Sequence, residues 1–462
     1  FLKDKKWRDI ILASVFFSLQ VLSSFYIGYM LSIGLLVFFV FYCWKTRENI
    51  LSNKFLLKLI TGFLICLVFV GPFAYVYYTT TKKYQFRHYL GEVVQYSANL
   101  DDYIQARQTN LLFGKLRYDT PVGELPFEER LFNFLRAKMG SKVGSLGAEK
   151  LPGESLEEKL YFERFSKVIN RPSNEKNVFL GILPFIIAVL GFIYSKRLEN
   201  TCKKNLIVIF FFLMMFFLVL SFGPFLIVLG HFTYIPLPYL FFYYILPAFN
   251  VMRAPARFAY MVIFFISVLS GFGILFVRDY LNAKDMKSPF LWKGIVYSLI
   301  LIVLTVEFLT IPVKMEYIRT GKHIPEIYKW LGKQEISGGV AEIPTIRGTL
   351  SKYDPKYGKR KSEMVDRENL YWYYSCYHLK PITNGIGSFY PDSYFKITRS
   401  LNNIVSPESV KLLKNYNVSL FILHKDKFDD EDRLNWTEEN IEKAGLEKVI
   451  EFGTDVVLKW KK

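Results

Sequence analysis

Two arginines, Arg253 and Arg257, stand four residues apart in the stretch FNVMRAPARFAYMVIFFISVLSGFGILF, residues 249 to 276. Side chains at i and i+4 project from one face of a helix, and guanidinium forks match the oxygens of a phosphate. The chemistry this spacing offers is capture of an anion at the mouth of an apolar segment. A positive charge at a helix start opposes the helix dipole, so the pair calls for a negative partner. That partner is either a ligand phosphate, a lipid-linked one at this depth, or acids from the loop 80–176. Snorkelling of both side chains to lipid headgroups is a further alternative. Pro255 suits the first turn of the helix, and Asn250 is placed to cap it.

A second group of polar residues lies in YQFRHYLGEVVQYSANLDDYIQAR, which holds Arg87, His88, Glu92, Tyr96, Asp101, Asp102 and Arg107. Glu92 and Tyr96 are one helical turn apart, with Arg87 just upstream. Carboxylates here suit divalent-cation binding or base catalysis, or they serve as ion-pair partners for Arg253 and Arg257. A third group, in YWYYSCYHLKPITNGIGSFYPDSY, sets His378, Lys380 and Asn384 among tyrosines, with Gly385 and Gly387 marking a tight backbone path. Aromatics mixed with a few polar groups suit a sugar or headgroup surface, and equally a domain docked on a membrane.

The elements that must position these residues are set by hydropathy. Of 462 residues, 52% are hydrophobic and 18% aromatic, in excess of what a soluble core of this size requires. Apolar runs recur at about 9–24, 27–44, 56–79, 177–195, 205–228, 256–277 and 291–313, which predicts about seven membrane helices. The formal charge of +18 sits largely in short loops between them. KDKKWR, KTRENILSNKFLLK, SKRLENTCKK and RDYLNAKDMK all fall on one side, which the positive-inside rule makes cytoplasmic. The loop 80–176, the stretch 229–255 and everything after about 314 are then external.

The expected organisation is membrane helices over 1–79, an external loop over 80–176, and helices over 177–313 with a proline-broken interfacial hairpin at 229–255. An external α/β domain over 314–462 completes it. In that domain IPEIYKWLGKQ reads as a helix, GGVAEIP as a strand, and SPESVKLLKNYN as a helix leading into the strand VSLFILH. GLEKVIEFGTDVVLKWKK reads as a hairpin turning at Gly453-Thr454. No phosphate-binding glycine loop, nucleophile elbow or nucleic-acid motif is present. Cys43, Cys66, Cys202 and Cys376 show no metal or disulfide spacing. With no initiator Met and no signal-peptide layout at Phe1, the sequence reads as starting inside a longer chain.

The stretches LQVLSSFYIGYM, GEVVQYSANLDDY, NVFLGILPFIIAVLGF, LPAFNVMRAPARF, YSCYHLKPITNGIGSFYP and SPESVKLLKNYNVSLFILH occur in that order across nearly the whole chain. Together they resemble a family of large membrane proteins in the GT-C glycosyltransferase-like superfamily, close to its YfhO-like members. The resemblance implies a GT-C-like helical bundle in the plasma membrane. It also implies a sugar donor carried on polyprenyl phosphate and transfer to a glycan or lipid acceptor in the cell envelope, on the external face. Arg253 and Arg257 match the family's Arg-x-Pro-x-Arg signature, and Glu92 and Tyr96 match its E…YSA stretch.

On this reading Arg253, Arg257 and Arg87 hold the carrier phosphate, and Glu92 does base, metal or positioning work. Tyr96, His378, Lys380 and Asn384 contact substrate, and a divalent cation, Mg or Mn, is the one cofactor considered. The superfamily's catalytic acids usually follow the first membrane helix, and no residue here corresponds to them. The other readings are a non-catalytic scaffold for envelope polymer assembly and, less well supported, a transporter. Against a transporter, no charged residue is expected deep in a span and no inverted repeat is seen.

Overall fold

The computed structural model describes residues 6–46, 53–84, 88, 90–114, 174–228, 231–246, 249–283, 289–313, 315, 317–345, 358–385, 387 and 391–461. The chain forms two compact units, Phe1–Val313 and Lys314–Lys462.

In the first unit, five helices are long and apolar enough to cross a bilayer. They are Phe25–Trp44, Leu56–Lys83, Lys203–Ser221, Pro255–Ala283 and Phe290–Phe308. A bilayer core needs roughly 20 helical residues. The runs at 9–24 and 177–195 form shorter helices, Trp7–Ser23 of 17 residues and Ile182–Tyr194 of 13 residues. The chain therefore reads as a polytopic integral membrane protein, with five helices of spanning length among the described residues against the seven apolar runs.

The apolar run 205–228 is cut at Ser221, where a turn through Gly223 leads into strand β1 (Phe225–Val228). Gly223 has φ +69, and a Cβ there would sit 1.9 Å from Ser97 Oγ, so the turn admits glycine alone. β1 pairs antiparallel with β2 (His231–Pro236), and Pro238 then opens helix Pro238–Ile245 at its first turn. The proline-rich stretch thus builds a strand pair and two helical turns, and no spanning helix.

Helices Ile182–Tyr194 and Ala259–Ala283 touch backbone to backbone. A Cβ on Gly191 would lie 2.0 Å from the Leu269 carbonyl oxygen, and one on Gly273 2.0 Å from that of Ile187. Small residues at a helix crossing permit this approach. Gly191→Ala or Gly273→Ala is therefore expected to destabilise the bundle by about 1–3 kcal/mol, as overpacking does. Thermal unfolding in detergent checks this, with Gly271→Ala as control, because nothing lies within 4 Å of a Cβ there.

Glu307 stands one residue from the end of a helix of spanning length, outside its depth. It lies inside Phe290–Phe308 and is only 3% exposed. Its carboxylate accepts the backbone N–H groups of Ile182 and Leu183, at the start of helix Ile182–Tyr194. Its role there is to cap a helix.

The second unit is an α/β layer structure. Its sheet runs β3 (Gly339–Ile343), β4 (Val418–His424), β6 (Asp455–Trp460), β5 (Leu446–Phe452), with β3 and β4 parallel and the other pairs antiparallel. β4 is buried on both faces, which explains its unbroken apolar sequence. Phe421 and Leu423 join one core with Leu401, Leu413 and Trp436. Leu420 and Ile422 join the other, with Ile327, Leu331 and Tyr374 from helices Glu326–Gly332 and Gly358–His378. Gly453, at φ +61, makes the turn between β5 and β6.

Candidate anion-binding site

Helix Ala259–Ala283 is preceded by a 3-10 turn, Pro255–Phe258, with Pro255 at its start as the sequence suggested. The N-cap is Ala254, without a side-chain cap, so Asn250 does not do this work. Its contribution is its backbone carbonyl, which accepts the N–H of His88 at 2.8 Å. A second backbone bond ties the turn to the loop that follows helix Asn53–Tyr84: Ala256 N–H donates to the Tyr96 carbonyl at 3.1 Å. The segment holding Glu92 and Tyr96 is thereby fixed beside the arginine turn at both ends.

The guanidinium of Arg253 lies 4.6 Å from the centre of the Tyr96 ring, and that of Arg257 4.5 Å from the Tyr26 ring. Such cation–π contacts hold a charge in place without neutralising it. Between the two arginines lies Glu175. Arg257 grips it with a two-pronged fork, Nε to Oε2 at 2.9 Å and Nη2 to Oε1 at 2.6 Å. Arg253 Nη2 is 4.0 Å from the same Oε1, an ion contact without a hydrogen bond. Hydrogen bonds from Arg257 hold the Glu175 carboxyl below its ordinary range, against an opposing push from burial. Glu175 is thus ionised at neutral pH, and two cations with one anion leave the cluster at a formal +1.

A cavity of about 320 Å³ opens beside this cluster. Ser24, Glu175 and Arg257 supply polar wall, Tyr26 and Tyr260 contribute rings, and Ile27 and Met30 are apolar. A charged patch grading into apolar wall suits an amphiphile with an anionic head.

The structure therefore brings Arg253, Arg257 and Tyr96 together. Glu92 lies on the short helix Leu90–Gln95, with its side chain outside the described residues, as is Arg87. Asp102 is absorbed locally, closing a capping box with Asn99. His378, Lys380 and Asn384 belong to the other compact unit. There Asn384 bonds Glu342 N–H and carbonyl, each at 2.8 Å, and reaches Glu368, so its amide clasps the fold. His378 is 3% exposed, and its Nδ1 accepts the Lys380 N–H at 3.1 Å, which fits a helix end better than a substrate contact.

Sequence reasoning pointed to acids of the loop as partners for the arginines without singling out Glu175, and it missed Tyr26, Ser24 and Tyr260. Among the described residues no group of three or more His, Cys, Asp or Glu is arranged to hold a metal ion. Glu175, the acid of this site among the described residues, lies between two guanidiniums that oppose a cation at its own carboxylate. No protein-family model matches the chain, and comparison with curated proteins finds no relative.

Proposed function

We propose that the protein binds the phosphate of a polyprenyl-phosphate-linked sugar at the external membrane face and acts as a GT-C-type glycosyltransferase on an envelope glycan or lipid. The observation that carries this reading is the pair of guanidiniums sharing one carboxylate at the start of a helix of spanning length, with Arg257 and Glu175 lining an amphipathic cavity. The residual positive charge supports attraction of an anion. Arg253, which among the described residues has a 4.0 Å ion contact and a ring contact with Tyr96, retains donors for phosphate oxygens. In an inverting transfer those donors would stabilise charge developing on the phosphate leaving group, while a carboxylate, with Glu92 the candidate, would activate the acceptor hydroxyl. With helix Ile182–Tyr194 counted as a crossing beside the five longer helices, the basic flanks support a topology in which this site and the C-terminal unit are extracytoplasmic in the plasma membrane.

A scaffold role is the second reading. It is favoured by the fact that Glu175, the acid seen at the site, is engaged as a counter-ion and offers no base. The deciding experiment supplies membranes carrying the protein with labelled polyprenyl-phosphate sugars, with and without a chelator. Transfer that disappears in Arg253→Ala is the expected result. Lipid binding without any transfer would favour the scaffold, and normal transfer by both Arg253→Ala and Arg257→Ala would remove the arginines from the reaction.

A further inference from the structure

The C-terminal unit seals a polar network at the carboxyl edge of its parallel strands. Glu342 on β3 and His424 at the end of β4 are 0% and 2% exposed. His424 Nε2 is 3.1 Å from Glu342 Oε2, and its Nδ1 is 2.7 Å from Oδ1 of Asp455, the first residue of β6. The Tyr328 hydroxyl donates to the same Glu342 oxygen at 2.6 Å, and the Tyr371 ring stacks on the imidazole with centres 5.1 Å apart. Three strands are thus tied through one imidazole.

A neutral imidazole carries one N–H and one lone pair, so it can donate to only one of two carboxylates. The doubly protonated ring satisfies both. Its loss of a proton would turn a lone pair toward a carboxylate oxygen inside a core, where an unpaired charge is most costly. Lys427, on the turn after β4, lies 5.5 Å above the Tyr371 ring and opposes a positive charge on His424. Arg367 and Glu368 lie on helix Gly358–His378, and Glu368 is engaged by Asn384 and by the Gly385 N–H. The two acids flank opposite ring nitrogens and cannot converge on a metal ion.

We propose that His424 is a proton-binding site that locks β3, β4 and β6 together, making the C-terminal unit tighten when the surroundings acidify and loosen when they turn alkaline. Burial alone would push His424 down. Its hydrogen bonds to Asp455 and Glu342 outweigh that and hold it above its ordinary value. A group raised on folding stabilises fully below its unfolded value, about 6.5 for histidine, and the contribution is lost as pH rises through the folded value.

Hydrogen exchange of the whole protein in lipid nanodiscs, from about pH 5.5 to 9, tests this. After correction for intrinsic exchange, opening of β4 is expected to rise by up to about tenfold per pH unit above about 6.5, then level off once the proton is lost. Helix Ala259–Ala283 serves as the unresponsive control. Asp455→Asn should move the levelling-off toward acid and shrink the total rise, because it removes one carboxylate that holds the proton in the folded state. A flat corrected profile for wild-type β4 overturns the proposal whether or not the variant folds, as does a rise of unchanged size and end-point in a folded Asp455→Asn protein. Nitrogen-15 spectra showing a neutral His424 ring at about pH 6, below the ordinary histidine value, also overturn it.

Discussion

Arg257→Ala is expected to weaken binding of polyprenyl phosphate by about ten- to hundredfold, the scale of lost charge-assisted hydrogen bonds. Glu175→Gln is expected to strengthen it. The opposite signs follow from one geometry. Glu175 presents two carboxylate oxygens to the Nε–Nη2 fork of Arg257, the arrangement a phosphate would adopt on the same fork. The carboxylate is therefore both counter-ion and competitor. Removing Arg257 takes away the donors and leaves Glu175 facing Arg253 at 4.0 Å, which consumes the second cation too. Neutralising Glu175 raises the cluster from a formal +1 to +2 while keeping a side chain of the same shape. Nanodiscs containing polyprenyl phosphate or the uncharged polyprenol, titrated against each variant, provide the measurement. Equal affinity for the two lipids in the wild type, or weaker binding by Glu175→Gln, would show that the cluster serves the fold alone.

What the sequence made legible was local. The proline at the head of the arginine helix, the strand VSLFILH and the turn at Gly453-Thr454 all depend on neighbours a few residues away, and each stands where the local sequence put it. Arg253, by contrast, precedes the N-cap Ala254 and does not share a helix face with Arg257. What it hid was contact between distant residues. Glu175 meets Arg257 across 82 positions, and nothing in its own surroundings distinguishes it from the other acids of its loop. Glu342 reads as the polar residue of a strand, yet it is wholly buried because His424 arrives from a parallel strand 82 residues away. Asn250 has the type of a helix cap, but the chain enters its helix through a 3-10 turn four residues later. Hydropathy similarly finds apolar runs without fixing how many residues each contributes to a helix. That is why the runs at 9–24 and 177–195 read as spans while their helices are 17 and 13 residues long.

Glu307→Ala is expected to have the largest effect on stability. Helix Ile182–Tyr194 begins after Gly181, which holds the N-cap position at φ +80 and has no side chain to satisfy the first backbone donors. Those donors are met from 125 residues away, by the Glu307 carboxylate on the Ile182 N–H, with the Leu183 N–H 3.2 Å from its second oxygen. A carboxylate at a helix start also gains from the dipole. Glu307 is only 3% exposed, and truncation that strands these donors costs about 1–3 kcal/mol for each. Glu307→Gln retains an acceptor and should recover part of the loss, since it gives up the charge alone. Asn110→Ala is a separate comparison. Its amide donates to the Glu307 backbone carbonyl at 2.7 Å, a bond that Glu307→Ala leaves in place. Melting of the detergent-solubilised protein should therefore rank the wild type first, Glu307→Gln next and Glu307→Ala last. If the alanine and glutamine variants melt together with the wild type, the carboxylate is not what holds the start of that helix.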